Sequence, residues 1–161
     1  MAEAAKWGEC VMGHQIQAVI GQAEAVAALA VDWPRAEVVP LPQGFAMVFL
    51  TAGLWDAVEE AFPGPAEPDV SFLLCWSGAV RRWLEGYSCC RPLAYIETDY
   101  FGGCGTQAGV LVEKGRVAVP PVEGAGTIDR LLAALGVRCL PGKDEFDSLG
   151  LGSFRHMPDM E

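Results

Sequence analysis

The sequence predicts an α+β fold: a single domain built on a mostly antiparallel mixed sheet with about four helices packed on it. Three observations carry that prediction. Short segments of alternating or continuous apolar residues recur between glycine and proline clusters, as strands do. Segments with apolar residues at helical spacing fall between the early strands. The last three strand-like segments then follow one another without a helix, a meander that argues against a doubly wound nucleotide fold. At 161 residues, 52% of them hydrophobic, the chain has one-domain size and buries roughly two-thirds of its unfolded surface. A mean hydropathy of +0.25 excludes a largely disordered chain.

Taken in order, residues 1–11 read as a flexible N-terminal extension, and Met12 opens the folded part. From Gly13 to Ile20 the chain alternates, with His14, Ile16, Ala18 and Ile20 on one face and Gln15, Gln17 and Val19 on the other. Gly21 ends this strand, and the alanine-rich 22–30 segment is a helix broken at Trp33-Pro34. Ala36–Leu41 and Phe45–Leu50 are strands, the second fully apolar and so covered on both sides. Thr51 is placed to cap a helix running to about Phe62. After a proline-rich loop, Asp69 caps a third helix through Leu84, with Phe72, Leu73, Trp76, Val80 and Trp83 inward, Arg81 and Arg82 outward, and Gly86 as its stop. Leu93 to Val117 forms a hairpin with a tight Lys114-Gly115 turn into the last strand. Thr127 caps a final helix over 128–135, stopped by Gly136. Phe146, Leu149, Leu151 and Phe154 are docking residues of the tail. The domain ends near residue 155, and 156–161 are expected to fray.

Asp and Glu total 21 against 11 Lys and Arg, a formal charge of -10. That balance argues against nucleic-acid binding, which needs a basic face for phosphates. It suits either solubility or the steering of a basic partner. No run reaches the roughly 20 apolar residues that span a bilayer, and the opening MAEAAKWGEC lacks the basic and apolar regions of a secretory signal. The expectation is a cytoplasmic protein with no membrane partner. The six cysteines, Cys10, Cys75, Cys89, Cys90, Cys104 and Cys139, are then expected as reduced thiols. Their spacing fits no zinc site, and no cofactor is expected.

The polar groups concentrate in the Leu93–Val117 stretch, at Glu97, Asp99, Tyr100, Cys104, Thr106 and Gln107. Glu97 and Asp99, two apart on a strand, share a face with Tyr95, where paired carboxylates suit acid/base work, cation binding or an ordinary solvated face. Gln107 is expected to hydrogen-bond one of them across the hairpin. Cys104 among glycines is a candidate thiol, with His14 as a conceivable base beside Glu97. The FGGCG turn lacks the lysine and helix start of a phosphate loop. Trp33, beside a proline, is the tryptophan expected to be exposed and to anchor a partner. Asp144, Glu145 and Asp147 add a second acidic cluster.

The runs YIETDYFGGCGTQ, GHQIQAVIG and PLPQGFAMV resemble stretches of small bacterial cytosolic proteins. In general character, acidic, compact and without a catalytic motif, the chain also resembles the immunity proteins that neutralise bacterial toxins. The resemblance implies a binding or inhibitor protein that meets a basic partner through an acidic face around Glu97, Asp99 and Asp144–Asp147. Two alternatives stand beside it: a small hydrolase or transferase using Glu97, Asp99 and Cys104, and a homo-oligomeric structural protein.

Overall fold

The computed structural model describes residues 13–65, 67–68, 70–101 and 104–158. The expected N-terminal extension lies outside the described residues, as do Asp69 and the glycines 102 and 103.

Six strands form one antiparallel sheet: β1 (His14–Gln22), β2 (Val39–Pro40), β3 (Phe45–Phe49), β4 (Leu93–Phe101), β5 (Cys104–Glu113) and β6 (Arg116–Glu123). Their order across the sheet is β2-β3-β1-β4-β5-β6, so the meander β4-β5-β6 continues outward from the central β1. Both edges are blunted. The expected strand over 36–41 shrinks to the two residues of β2, because Pro40 and Pro42 cannot donate to a ladder. At the other edge, β6 carries Pro120 and Pro121 and a register irregularity against β5.

The helices divide between the two faces. On one lie α1 (Ala23–Asp32), α2 (Ala52–Ala61) and α3 (Gly78–Tyr87), whose Val26, Leu29, Leu54, Val58, Val80 and Trp83 pack with Val19, Val48, Tyr95 and Val110 of the sheet. On the other lie α4 (Thr127–Leu135) and the short α5 (Glu145–Ser148). There Ile128, Leu131, Leu132, Phe146 and Leu149 pack with Ile16, Ala18, Met47 and Ile96. The alternation read in β1 thus separates two cores, one on each side of the sheet.

Local signals hold where side chains set them. Thr51 Oγ1 accepts from Leu54 N at 3.3 Å and starts α2. Gly136, at φ 100°, closes α4. The first turn of α4 differs from expectation: its cap is Gly126, and Thr127 is already helical. The third helix is shorter at its start and longer at its end than expected. Ser77 caps α3 by accepting from Val80 N at 3.2 Å, and Gly86 lies inside the helix. Residues 70–76 are an irregular loop, although Leu73 is buried there, because a tertiary interaction described below takes their backbone donors. Arg81 and Arg82 are half-buried and tied down: Arg81 holds Glu67 and Glu85, and Arg82 Nη2 donates to Phe62 O at 2.7 Å.

The tail docks on α4 and β1. Phe146, Leu149 and Leu151 are buried as expected, and Met157 is buried with them. Gln15 N donates to Arg155 O at 2.7 Å, and His156 forms a parallel bridge with Gln15. Fraying from residue 156 is therefore corrected: packing extends through Met157, since β1 has a free edge there beyond the end of β3.

Candidate functional site

Strand register sets polar side chains into a grid on the face that α1–α3 cover only in part. One cross-strand row runs Gln17, Glu97, Ala108, Glu123 from β1 to β6. The next runs Gln15, Asp99, Thr106. Val19, Tyr95 and Val110 form the row before them and are sealed under the helices. Beyond that row the helical cover stops, and the 70–76 loop stands over the sheet as a wall. Between wall and sheet lies a cleft of about 810 Å³, lined by these two rows and by Phe72, Leu73, Leu74 and Trp76, among others. Its size is within the range of small-molecule and side-chain pockets.

Glu97 builds the wall. Its Oε1 accepts from Leu74 N at 2.7 Å, and Oε2 accepts from Cys75 N at 2.9 Å and from the Tyr95 hydroxyl at 2.5 Å. Consecutive backbone donors converging on one carboxylate form an anion nest, here filled from within the chain. This corrects the expected open sheet face: Glu97 is 7% exposed and Tyr95 fully buried. The neighbours respond electrostatically. Burial, then the Glu97 charge, pushes the Tyr95 hydroxyl well above its ordinary range. Burial, aided by Glu97 and Glu59, pushes the Cys75 thiol up to about 11. Ser77 Oγ donates to Glu59 at 2.6 Å, and the Arg81–Glu67 ion pair braces the segment before the wall.

The rest of the grid is unspent. Among the described residues, the side chains of Gln15, Gln17, Asp99, Thr106 and Glu123 make no hydrogen bond or ion pair. Gln17 is the informative member, because it is only 8% exposed. Its amide makes no hydrogen bond among the described residues and meets solvent only through the cleft, so it is open to a polar group that enters there. Among the described residues lining the cleft none is basic, whereas Glu97, Asp99 and Glu123 are acidic.

The sequence-predicted site residues therefore scatter. Glu97 and Asp99 share the cleft, and Cys104 stands exposed at the hairpin end of the same face. Tyr100 and Gln107 are on the opposite face. Gln107 Nε2 donates to the Tyr100 hydroxyl at 3.0 Å, and its Oε1 accepts from Ile128 N at 2.8 Å, so it holds the first turn of α4 and not the acidic pair. His14 is also on that face, 1% exposed, with Nε2 donating to Leu151 O at 2.9 Å and Nδ1 2.8 Å from Thr98 Oγ1. The sheet separates it from Glu97, which removes the Cys104-His14-Glu97 arrangement. Asp144, Glu145 and Asp147 belong to α5 and its cap, across the sheet from the cleft. Asp144 accepts from Asp147 N at 2.9 Å, and Cys139 lies 3.0 Å from Glu145, whose hydrogen bond pushes that thiol up to about 11. A single acidic face joining both clusters is therefore corrected to one cleft and a separate helix cap.

Trp33 is likewise reassigned. It is half-buried, stacked on Phe62 with centroids 6.1 Å apart, and donates to the Tyr87 hydroxyl at 3.1 Å. Residues that sequence reasoning left out of the site are Gln15, Gln17, Glu123, Phe72 and Trp76, while Thr106 was named only as one of the polar groups of its stretch. The signal for the two glutamines was available, since they are the polar positions that alternate with His14, Ile16 and Ala18 on the face opposite.

Among the described residues, no group of three or more His, Cys, Asp or Glu is arranged to hold a metal ion, and no helix is long and apolar enough to cross a membrane. No protein-family model matches the sequence, no curated protein matches it, and no solved structure matches the fold.

Proposed function

We propose that this chain is a binding protein that captures a basic protein partner in the acidic cleft over β1, β4, β5 and β6. Inhibition of a basic enzyme or toxin, as immunity proteins do, is the role this suits best. One observation carries the reading: the cleft presents Asp99 and Glu123 unpaired beside a nearly buried, unpartnered Gln17, with no basic residue among its described lining. A net charge of -10 adds long-range attraction for a cationic partner. Leu74 and Phe101, exposed at 71% and 75%, offer apolar contact near the cleft, on its wall and two residues past Asp99. Acid/base catalysis finds less support, because the carboxylate of Glu97 is occupied by three donors and His14 lies across the sheet.

The test uses Asp99 and Glu123, which lie outside the framework that Glu97 holds. Tagged wild-type protein and an Asp99→Lys/Glu123→Lys variant are incubated with lysate of the source cell at low and high salt. The expected result is one stoichiometric basic protein held by the wild type, released by salt and ignored by the variant. Equal capture by the variant would refute the cleft as the interface.

A further inference from the structure

Resting on the cleft as the binding surface, we infer that what enters it is a single arginine side chain of the partner, its guanidinium set against Asp99 and the Gln17 amide oxygen.

Three features of the cleft lead there. The first is that the sheet offers a partner little to extend: the one edge beside the cleft, β6, is interrupted by Pro120 and Pro121. The strands at the cleft floor, β1, β4 and β5, each have neighbours, so their ladder groups are already used along the cleft. Recognition then falls to side chains. The second is the placement of acceptors. Gln17 is opposite Glu97 and Asp99 is two residues on, so Gln17 and Asp99 are diagonal neighbours on adjacent strands. Such neighbours stand about 7–8 Å apart, a gap that a planar cation fills while bonding to both sides. Glu97 occupies the direct cross-strand position but its oxygens are committed to Leu74, Cys75 and Tyr95. Glu123, two strands and one row away from Asp99 and so about 12 Å off, supplies attraction without contact.

The third feature selects arginine over lysine. A guanidinium presents five donors in a fixed fork, enough for a bidentate bond to Asp99 and another to the amide oxygen of Gln17. Its flat face also stacks on aromatic rings. Half-buried Phe72 and Trp76 line the wall above the acceptors, and Trp76 is itself fixed against Tyr95 at 5.5 Å between centroids. An ammonium is a compact, strongly hydrated charge that gains less from such a wall. The wall does not have to form on binding, since Glu97 and the Ser77–Glu59 bond already hold it.

N-acetyl-arginine amide, which carries the cation without an opposing carboxylate, is the probe. It is titrated into the full chain while the indole N–H resonance of Trp76, assigned with Trp76→Phe, is followed. A saturable shift with a low-millimolar Kd is expected, about what one side chain without its protein supplies. The lysine analogue should bind at least about threefold more weakly and the neutral citrulline analogue at least about tenfold more weakly. Gln17→Leu and Asp99→Asn should each weaken the arginine probe about tenfold, one charge-assisted hydrogen bond's worth. Asp99 is exposed, so its isosteric change leaves the fold intact even if Gln17→Leu disturbs it. Equal binding of the citrulline or lysine analogue, or no shift of Trp76, would overturn the inference. The two readings fail separately. A basic partner captured through Asp99 and Glu123 alongside an indifferent arginine probe sinks the arginine and leaves the binding protein. A bound probe without any salt-sensitive partner does the reverse.

Discussion

The two faces of the sheet treat their polar residues in opposite ways. On the α4–α5 face, His14, Thr98 and Gln107 are each at most 3% exposed, and their side chains are spent on one another, on the tail or on the first turn of α4. On the α1–α3 face, the same three strands and β6 carry Gln15, Gln17, Asp99, Thr106 and Glu123 with no side-chain partner among the described residues. Burial separates most of these residues, because Gln15, Asp99, Thr106 and Glu123 are exposed, but Gln17 is nearly as covered as Gln107. Hydrogen bonding separates those two: Gln107 closes its bonds within the chain, whereas the Gln17 side chain has none among the described residues and faces the cleft.

Glu97 stands at the boundary between these behaviours, and breaking it should have the largest effect. Glu97→Ala strands Leu74 N, Cys75 N and the Tyr95 hydroxyl together. The expected loss is about 3 kcal/mol, read from the urea midpoint, with faster hydrogen exchange at Leu74 and Cys75 as the wall detaches. Glu97→Gln keeps an acceptor oxygen and should lose less. On the opposite face, Gln107→Ala removes the acceptor of Ile128 N and the donor to the Tyr100 hydroxyl, for about 2 kcal/mol. It should not alter capture of a basic partner. A Gln107 variant that unfolds little but loses the partner would erase the contrast between the faces.

The division between faces was only half legible in the sequence. Element types and order were written locally, in the alternation of β1, the Thr51 cap and the Gly136 stop, because those signals act within a few residues. Even the separation of His14 from Gln15 and Gln17 followed from a two-residue period. The wall was not legible. Phe72, Leu73, Trp76, Val80 and Trp83 have the spacing of one long helix, yet the chain is helical only from Gly78, because Glu97, more than twenty residues on, takes the amides of Leu74 and Cys75. That is a tertiary bond overriding a local pattern. The tail docking of Met157 and the use of Gln107 on α4 are of the same kind. Asp99 was legible as a candidate, but Gln17 acquires its meaning only from what fails to reach it.

High pH offers a milder probe of the wall. In the folded chain the Cys75 thiol titrates at about 11 in place of its ordinary 9.0, and the Tyr95 hydroxyl is also raised. Both groups stay protonated in the fold at pH values where the unfolded chain releases the proton. Stability should therefore be level up to about pH 9 and fall as pH rises through 11 and beyond. Cys75→Ala should flatten the part of that slope between about pH 9 and 11, measured as denaturant midpoint against pH. An unchanged slope would place the coupling elsewhere.

The smallest effect on stability should come from the residue with most to do with binding. Asp99 is exposed and, among the described residues, has no side-chain partner. Asp99→Asn should therefore shift the unfolding free energy by no more than about 0.5 kcal/mol, in either direction. Glu145→Gln is its control, an equally acidic position on α5 across the sheet, where among the described residues the carboxylate accepts a side-chain hydrogen bond from Cys139. The stability changes should be alike, and capture of the basic partner should not be. Asp99→Asn should weaken it about tenfold and lessen its salt dependence, while Glu145→Gln changes neither. The opposite order would move the interface to α5, and Gln17 would then need a partner of some other chemistry. Equal losses from both would mean that the partner responds to total charge, and the geometry of the cleft would cease to matter.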